Sequence, residues 1–185
     1  SPMTIPTTWT FSGWARCNSF GNLPAIMTFD NGPDNSRITA FGREEHQVNR
    51  SQIDFVYNEN DGAGDDRISL RRFLSIGEWF HWSWTCDGST MKVYKNGLLT
   101  GSKSLTNSQI GRTLHNCHIG GPENQAKSVG TYNQRDFCIH NVALDPGSVL
   151  QMYSGTMHPS EVSASNIIQY FSLDPYEFDS IGRGQ

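Results

Sequence analysis

Residues 77–97, GEWFHWSWTCDGSTMKVYKNG, carry the pattern that decides the fold. An aromatic-rich run over 79–85 is followed by Asp87-Gly88, and an apolar run over 91–94 is followed by Asn96-Gly97. Asp-Gly and Asn-Gly favour two-residue hairpin turns, because these residues tolerate the positive φ angles that such turns need. The stretch therefore predicts two strands, each followed by a tight hairpin turn.

The same strand-like pattern recurs along the chain, separated by Gly-, Asn- and Asp-rich turns. The further predicted strands are 8–17, 25–29, 37–41, 52–57, 67–74, 114–119 and 135–142. A helix is predicted only near residues 146–153, where Asp145 is a suitable N-cap, Pro146 a suitable first residue and Gly155 a suitable stop. Frequent turns between short strands predict an all-β sandwich or barrel.

Composition and charge argue against two classes of function, nucleic-acid binding and membrane spanning. The chain has 185 residues, enough for one good core. Its 14 basic and 18 acidic residues give a net charge of −4, and its densest basic group, Arg67, Arg71 and Arg72, lies beside an acidic loop. A nucleic-acid binder would be expected to show a basic stripe, so nucleic acid is not an expected partner. No apolar run approaches the roughly 18 residues of a membrane span.

The order of the motifs is more specific than their composition. In 77–97 a Trp and a His share one strand, Asp-Gly forms the hairpin, and an aliphatic-Tyr-x-Asn-Gly segment follows. This resembles laminin-G-like domains of the concanavalin A-like lectin/glucanase superfamily. Segments 9–15, 118–120 and 135–144 match further strands of those domains. The resemblance implies an antiparallel jelly-roll sandwich of two curved sheets, with Trp79, His81 and Tyr94 as framework residues.

The resemblance covers roughly residues 8–155 and divides the chain into a jelly-roll domain, 1–155, and a C-terminal tail, 156–185. Such domains usually open with a strand carrying Leu-Asp and then Asp-Ser-Gly-x-Gly, and residues 167–184 resemble that opening segment. The tail either closes the same sandwich in permuted order or starts a further repeat. Self-closure is favoured, because Tyr170, Phe171 and Phe178 would otherwise be exposed.

Enzymatic activity is not expected. Related glucanases use a Glu-x-Asp-x-x-Glu strand, and retaining hydrolysis needs a pair of carboxylates. The nearest string, 52–57, keeps Asp54 but has Gln52 and Tyr57 at the glutamate positions. Residues 132–134, Tyr-Asn-Gln, match one motif of the superfamily's alginate lyases, whose Gln-x-His strand is not found.

A ligand site is expected where aromatic and planar hydrogen-bonding side chains come together. Tyr57 and Asn58 with Arg67 and Arg71 form the main candidate cluster, since their strands should be neighbours. Trp14 and Arg16 share a face of the early strand, and we expect them to join this cluster. The alternative is ordinary packing for Trp14 and surface ion pairing for the arginines.

Calcium is the cofactor that the sequence suggests, and no other is expected. Ca²⁺ takes six to eight oxygen ligands, and Asp61, Asp65 and Asp66 lie in an oxygen-rich loop. Asp30 and Asp136 are further candidate ligands. The alternative is a solvated acidic turn held by the neighbouring arginines.

Four cysteines, Cys17, Cys86, Cys117 and Cys138, fall on predicted strands. They permit two disulfides, which would indicate an oxidising compartment. The alternative is four small buried thiols.

Together these features predict a non-catalytic module that binds a carbohydrate or a protein, within a larger extracellular or surface protein. Self-association into a homo-oligomer is compatible with this role. The alternatives are a structural or assembly domain, such as a virion surface or fibre component, and a diverged polysaccharide hydrolase or lyase.

Overall fold

A computed structural model describes residues 3–18, 25–30, 37–45, 50–58, 65–106, 112–114, 116–119 and 132–172. The strands are Met3–Ile5 (β1), Trp9–Cys17 (β2), Ala25–Asp30 (β3), Arg37–Glu45 (β4), Arg50–Asn58 (β5), Asp65–Leu74 (β6), Trp79–Cys86 (β7), Thr90–Lys95 (β8), Leu98–Ser104 (β9), Arg112–Leu114 (β10), Asn116–Ile119 (β11), Tyr132–His140 (β12) and Ile167–Phe171 (β13). The helix α1 spans Pro146–Ser154, and a 3₁₀ turn spans Ala164–Asn166.

The strands form two antiparallel sheets, which confirms the predicted all-β sandwich with one short α-helix. The six-stranded sheet has the order β13-β12-β2-β7-β8-β9, and the five-stranded sheet has the order β11-β3-β4-β5-β6. Strands β1 and β10 form a separate pair. The single strand predicted over 114–119 is wrong, because β10 pairs with β1 whereas β11 pairs with β3.

Aromatic side chains fill the space between the sheets. Phe11 of the six-stranded sheet meets Phe29 of the other sheet at a ring-centroid distance of 5.2 Å. Trp84 meets Phe55 across the same space at 5.4 Å. All four rings are completely buried, and alternate residues of β2 and β7 therefore point away from this core.

The Asn96-Gly97 turn between β8 and β9 is a hairpin turn with positive φ at both residues, 51° and 79°. The Asn96 side chain accepts the His81 backbone N–H at 2.9 Å, and the Asn96 N–H donates to the His81 carbonyl at 2.8 Å. A Cβ at residue 97 would lie 2.8 Å from Leu150 Cδ1, so the turn packs closely against this residue of α1. The turn thus joins β7 to helix α1.

Helix α1 covers part of the outer face of the six-stranded sheet. The Asp145 carboxylate accepts the N–H groups of Gly147 and Ser148, which caps the helix as predicted. Gly155 ends the helix in the left-handed conformation. A second apolar cluster forms beneath it from Tyr94, Leu144, Val149, Met152 and Val162.

The first part of the C-terminal tail belongs to the six-stranded sheet. Strand β13 pairs with β12, and the Phe171 ring lies 6.1 Å from Phe137. The Tyr170 hydroxyl donates to Asp136 at 2.7 Å. Residues 173–185, including Phe178, lie outside the described residues.

All four cysteines are free thiols, so the structure contains neither of the two disulfides that their number permits. Cys17, Cys86 and Cys138 are buried, whereas Cys117 is exposed, contrary to the expectation of four buried thiols. Burial raises the pKa of the Cys86 thiol to about 11 and that of Cys138 to about 12. These two thiols are therefore weak nucleophiles at neutral pH.

We predict that a chain ending at Gly155 is much less stable than one ending at Ser172. The shorter chain lacks β13, and it also loses Val162 from the apolar cluster under α1. Thermal unfolding of both chains beside the full-length protein measures the difference. Equal melting temperatures for the two truncated chains would show that β13 adds nothing to the fold.

Replacing His81 with Phe is predicted to reduce acid sensitivity. Burial lowers the pKa of His81 to about 3, so below pH 6.5 the unfolded chain takes up a proton that the folded chain does not. Stability is therefore lost as the pH falls from 6.5 towards 3, and His81 accounts for about 2 kcal/mol of that loss at pH 5. Urea unfolding of both proteins at pH 7.5 and pH 5 tests this; parallel losses in the two would contradict it.

Candidate functional site

The predicted ligand cluster is divided between the two sheets. Trp14 and Arg16 lie on β2, on the outer face of the six-stranded sheet, whereas Arg67 and Arg71 lie on β6 of the five-stranded sheet. The core separates the sheets, so their outer faces lie on opposite sides of the sandwich. Trp14 and Arg16 therefore do not join the arginines of β6.

Tyr57 does not offer a stacking surface. Its ring is buried in the core between the sheets. Asn58, the next residue of β5, is opposite Arg37 and Asp65 in the strand register. The side chain of Asn58 lies outside the described residues.

The outer face of the five-stranded sheet holds a buried ion pair. Asp54 has an exposed fraction of 0% and accepts hydrogen bonds from Gln52 Nε2 at 2.7 Å and Arg67 Nη1 at 3.1 Å. Thr28 and Thr39, which join hydroxyls at 2.9 Å on the same face, are also fully buried. The centre of this face is thus closed to a large ligand, and Arg67 serves the fold through Asp54.

Two predicted calcium ligands are engaged by protein donors. Asp66 accepts the Thr106 N–H and hydroxyl, both at 2.9 Å, and lies 3.4 Å from Lys103 Nζ. Asp136 accepts the Tyr170 hydroxyl and lies 3.7 Å from His158 Nε2. Because both carboxylates already accept hydrogen bonds, their surroundings do not fit Ca²⁺, which needs several free oxygen ligands.

The other predicted calcium ligands do not form a visible site. Within the described ranges no three His, Cys, Asp or Glu residues come together as a metal cluster. Asp30 ends β3, beside Arg37 and Asn116 in the strand register. Asp61 lies outside the described residues, as does the side chain of Asp65. Calcium binding stays a prediction.

The Tyr-Asn-Gln string that matches a lyase motif is divided by the alternation of β12. Tyr132 packs against the core, and Gln134 Nε2 donates to the Ile26 carbonyl at 2.6 Å, which ties the two sheets together. Asn133 is opposite Arg16 on the outer face and hydrogen-bonds with Asn18. The three side chains therefore do not converge on one site.

On the outer face of the six-stranded sheet, four half-buried residues form what we call the tryptophan–arginine surface: Trp14, Arg16, Trp79 and Arg135. The register places Arg16 opposite Trp79 and Arg135 opposite Trp14. The Arg135 guanidinium carbon lies 4.7 Å from the ring centroid of Trp79 and 5.1 Å from that of Trp14. The Arg16 guanidinium carbon lies 5.5 Å from the Trp79 ring.

Both guanidinium groups lack an anionic partner. In the part of the chain that the structure describes, Arg16 and Arg135 form no ion pair. The carboxylate next to Arg135 in sequence is engaged elsewhere, since Asp136 accepts the Tyr170 hydroxyl. Arg135 Nε is buried with no hydrogen-bond partner. Within the described ranges, these two positive charges have no anionic partner.

Two aromatic neighbours, the buried His81 and the exposed Tyr153, contact this surface. The His81 ring lies 5.4 Å from Trp14 in an edge-on arrangement, and Tyr153 of α1 lies 5.9 Å from Trp14. His81 is fully buried and neutral, because burial lowers its pKa to about 3. His81 and Tyr94 are framework residues, as expected, whereas Trp79 is half exposed.

We predict that Arg67 contributes to stability through Asp54. In a double-mutant cycle of Arg67→Met and Asp54→Asn, the two changes should show a coupling of about 1–3 kcal/mol, because each single change breaks the same ion pair. Urea unfolding of the four proteins measures the coupling. Strictly additive losses would show that the ion pair is energetically unimportant.

The chain matches a known protein family over most of its length. The family model Laminin_G_3, described as the concanavalin A-like lectin/glucanases superfamily, matches residues 1–149. A search of curated protein sequences gives no match. Within the described residues, no helix is long and apolar enough to cross a membrane.

Several solved structures share the fold at low identity. A heptameric SAP-like pentraxin from Limulus polyphemus is 16% identical, with a TM-score of 0.65 over 92% of this chain and 82% of the pentraxin. The sialidase module CBM40 from Ruminococcus gnavus, bound to α2,3-sialyllactose, is 10% identical, with a TM-score of 0.59 over 80% of this chain and 84% of that module.

The binding domain of botulinum neurotoxin serotype D is 18% identical, with a TM-score of 0.57, and the match covers 80% of this chain but only 37% of that domain. These solved structures are mainly binding domains. The family match over residues 1–149 and the two antiparallel sheets lead to one assignment: the chain belongs to the concanavalin A-like lectin/glucanases superfamily, as a laminin-G-like domain.

Proposed function

We propose that the chain is a non-catalytic carbohydrate-binding module whose ligand site is the tryptophan–arginine surface. The observation that carries this proposal is the placement, on one rigid sheet face, of two half-buried indoles and two guanidinium groups that have no ion-pair partner among the described residues. Aromatic side chains and planar hydrogen-bond donors are the groups that sugars need for orientation. Sites built on strands hold such groups more rigidly than sites built on loops.

The similar structures are consistent with this role. The pentraxin, the sialidase module and the toxin domain have the same sandwich, and the sialidase module is described with a bound sialyl sugar. At 10–18% identity they share the fold alone. The proposal for this chain therefore depends on its own surface residues.

The absence of catalysis is part of the proposal. The carboxylate of Asp54 is buried and occupied by Gln52 and Arg67, and Tyr57, on the same string, is in the core. Hydrolysis of a glycosidic bond needs two carboxyl groups at one cleft, one as the acid and the other as nucleophile or base. The string over 52–57 contains no second carboxyl group.

We further propose that the domain works within a larger extracellular or surface protein.

A second candidate function, a structural contact between copies of the chain, is favoured by an exposed apolar patch. Leu98, Leu99 and Leu150 are 69%, 56% and 47% exposed, and the patch adjoins the Asn96-Gly97 turn. Light scattering of the wild type and of Leu98→Ser/Leu150→Ser distinguishes this candidate, since only an assembly role predicts oligomers that the double change dissociates.

We predict that Trp79→Ala lowers the affinity for the best ligand on a glycan array at least tenfold, because the indole positions both arginines. Lys92→Ala is the matched control, since Lys92 is a half-buried cation on β8 of the same sheet. Near-native circular dichroism should accompany both changes. Equal loss in the control, or full binding by Trp79→Ala, would place the site elsewhere.

A further inference from the structure

We infer that the tryptophan–arginine surface recognises an oxyanion, a carboxylate or a sulfate, on an acidic glycan, with Arg135 as the residue that reads it. This inference rests on the proposed carbohydrate-binding function and specifies the class of ligand. Three observations support it: the position of the guanidinium groups over the indoles, the lack of an ion pair to them among the described residues, and the restriction of the Arg135 side chain.

The position of the guanidinium groups restricts how a ligand binds. Arg135 lies over both Trp14 and Trp79, and Arg16 lies over Trp79. The faces of the indoles are therefore at least partly occupied by cations, which leaves less room for a sugar ring to stack on them. The groups that a ligand meets are the guanidinium N–H donors, whose fork geometry matches the two oxygens of a carboxylate or sulfate.

The charges around the surface favour an anion. The chain carries a net charge of −4, yet these two arginines form no ion pair among the residues described. Asp136, beside Arg135, is held by Tyr170 and by His158, and the buried His81 ring is neutral. Lys95 lies over Phe73 and Phe80 and donates to the Phe73 carbonyl. A neutral glycan would leave both positive charges uncompensated.

The guanidinium of Arg135 is also prepared for binding before a ligand arrives. Its Nε is buried without a partner, so the terminal nitrogens are the donors that a ligand can reach. The two indoles restrict the side chain from either side, which removes much of the entropy that an arginine usually loses on binding. Restricted and partly dehydrated donors bind an anion more strongly than solvated ones do.

The direct test follows the indole N–H signals of the wild-type protein by NMR during titration with 3′-sialyllactose, with sulfated lactose and with lactose. We expect the Trp14 and Trp79 signals to shift with the two acidic sugars, less so in high salt. The indole nitrogens of Trp9, Trp82 and Trp84 are buried in the core and serve as internal controls. Comparing sialyllactose with sulfated lactose identifies which oxyanion is preferred.

A glycan array printed in pairs, each acidic glycan beside its uncharged parent, extends the test beyond lactose. We expect the acidic member of each bound pair to bind more tightly. Arg135→Met, which keeps the aliphatic stem between the indoles, should reduce binding of the acidic member by about 10- to 100-fold. It should leave any binding of the neutral member unchanged, and Lys92→Ala should bind as the wild type does.

The outcomes separate the inference from the proposed function. If acidic and neutral members bind equally, or if Arg135→Met binds acidic glycans normally, the inference is overturned while carbohydrate binding stands. If no sugar in the titrations or on the array binds, the proposed function fails and the inference fails with it. Shifts of the Trp14 and Trp79 signals with acidic sugars alone would support both.

Discussion

The structure depends on the packing of Trp84 between the sheets. This ring lies 4.9 Å from Trp9, 6.4 Å from Phe11 and 5.4 Å from Phe55, so it connects two strands of one sheet to the other sheet. Because side chains alternate along a strand, an inward Trp84 forces Trp79 of the same strand outward. The register of β2 with β7 then puts Arg16 beside Trp79. The candidate ligand surface is thus formed by the outward residues of the same strands whose inward residues form the core.

Those parts of the fold that depend on residues close together in the chain could be predicted from the sequence. The two hairpin turns, the strands β2 and β7 and the capped helix were predicted because alternation, Asn-Gly and an N-cap Asp act within a few residues. Strand β9 was missed because most of its residues are exposed, so it has no apolar alternation. Its Gly101 is required by the close approach of Ile68, which no local pattern reveals.

The candidate site was harder to predict, for two physical reasons. Tyr57 was grouped with the arginines of β6, although the alternation of β5 puts its ring in the core between the sheets. Arg135 was not singled out, because it meets Trp14 only through the pairing of β12 with β2, strands that are far apart in the chain. The alternation of β12 predicts that Arg135 points outward, but it does not predict that β12 pairs with β2. The two outer faces also differ in a way that composition does not show: one is closed around Asp54, and the other keeps its arginines accessible.

Helix α1 touches both the Asn96-Gly97 turn, through Leu150, and the tryptophan–arginine surface, through Tyr153 and Trp14. A side chain at residue 97 would displace Leu150 and Tyr153, so the hairpin turn packs closely against the helix. Tyr153 therefore contacts the turn on one side and the Trp14 ring on the other. A substitution in this turn would thus shift the tryptophan–arginine surface without replacing any residue on it.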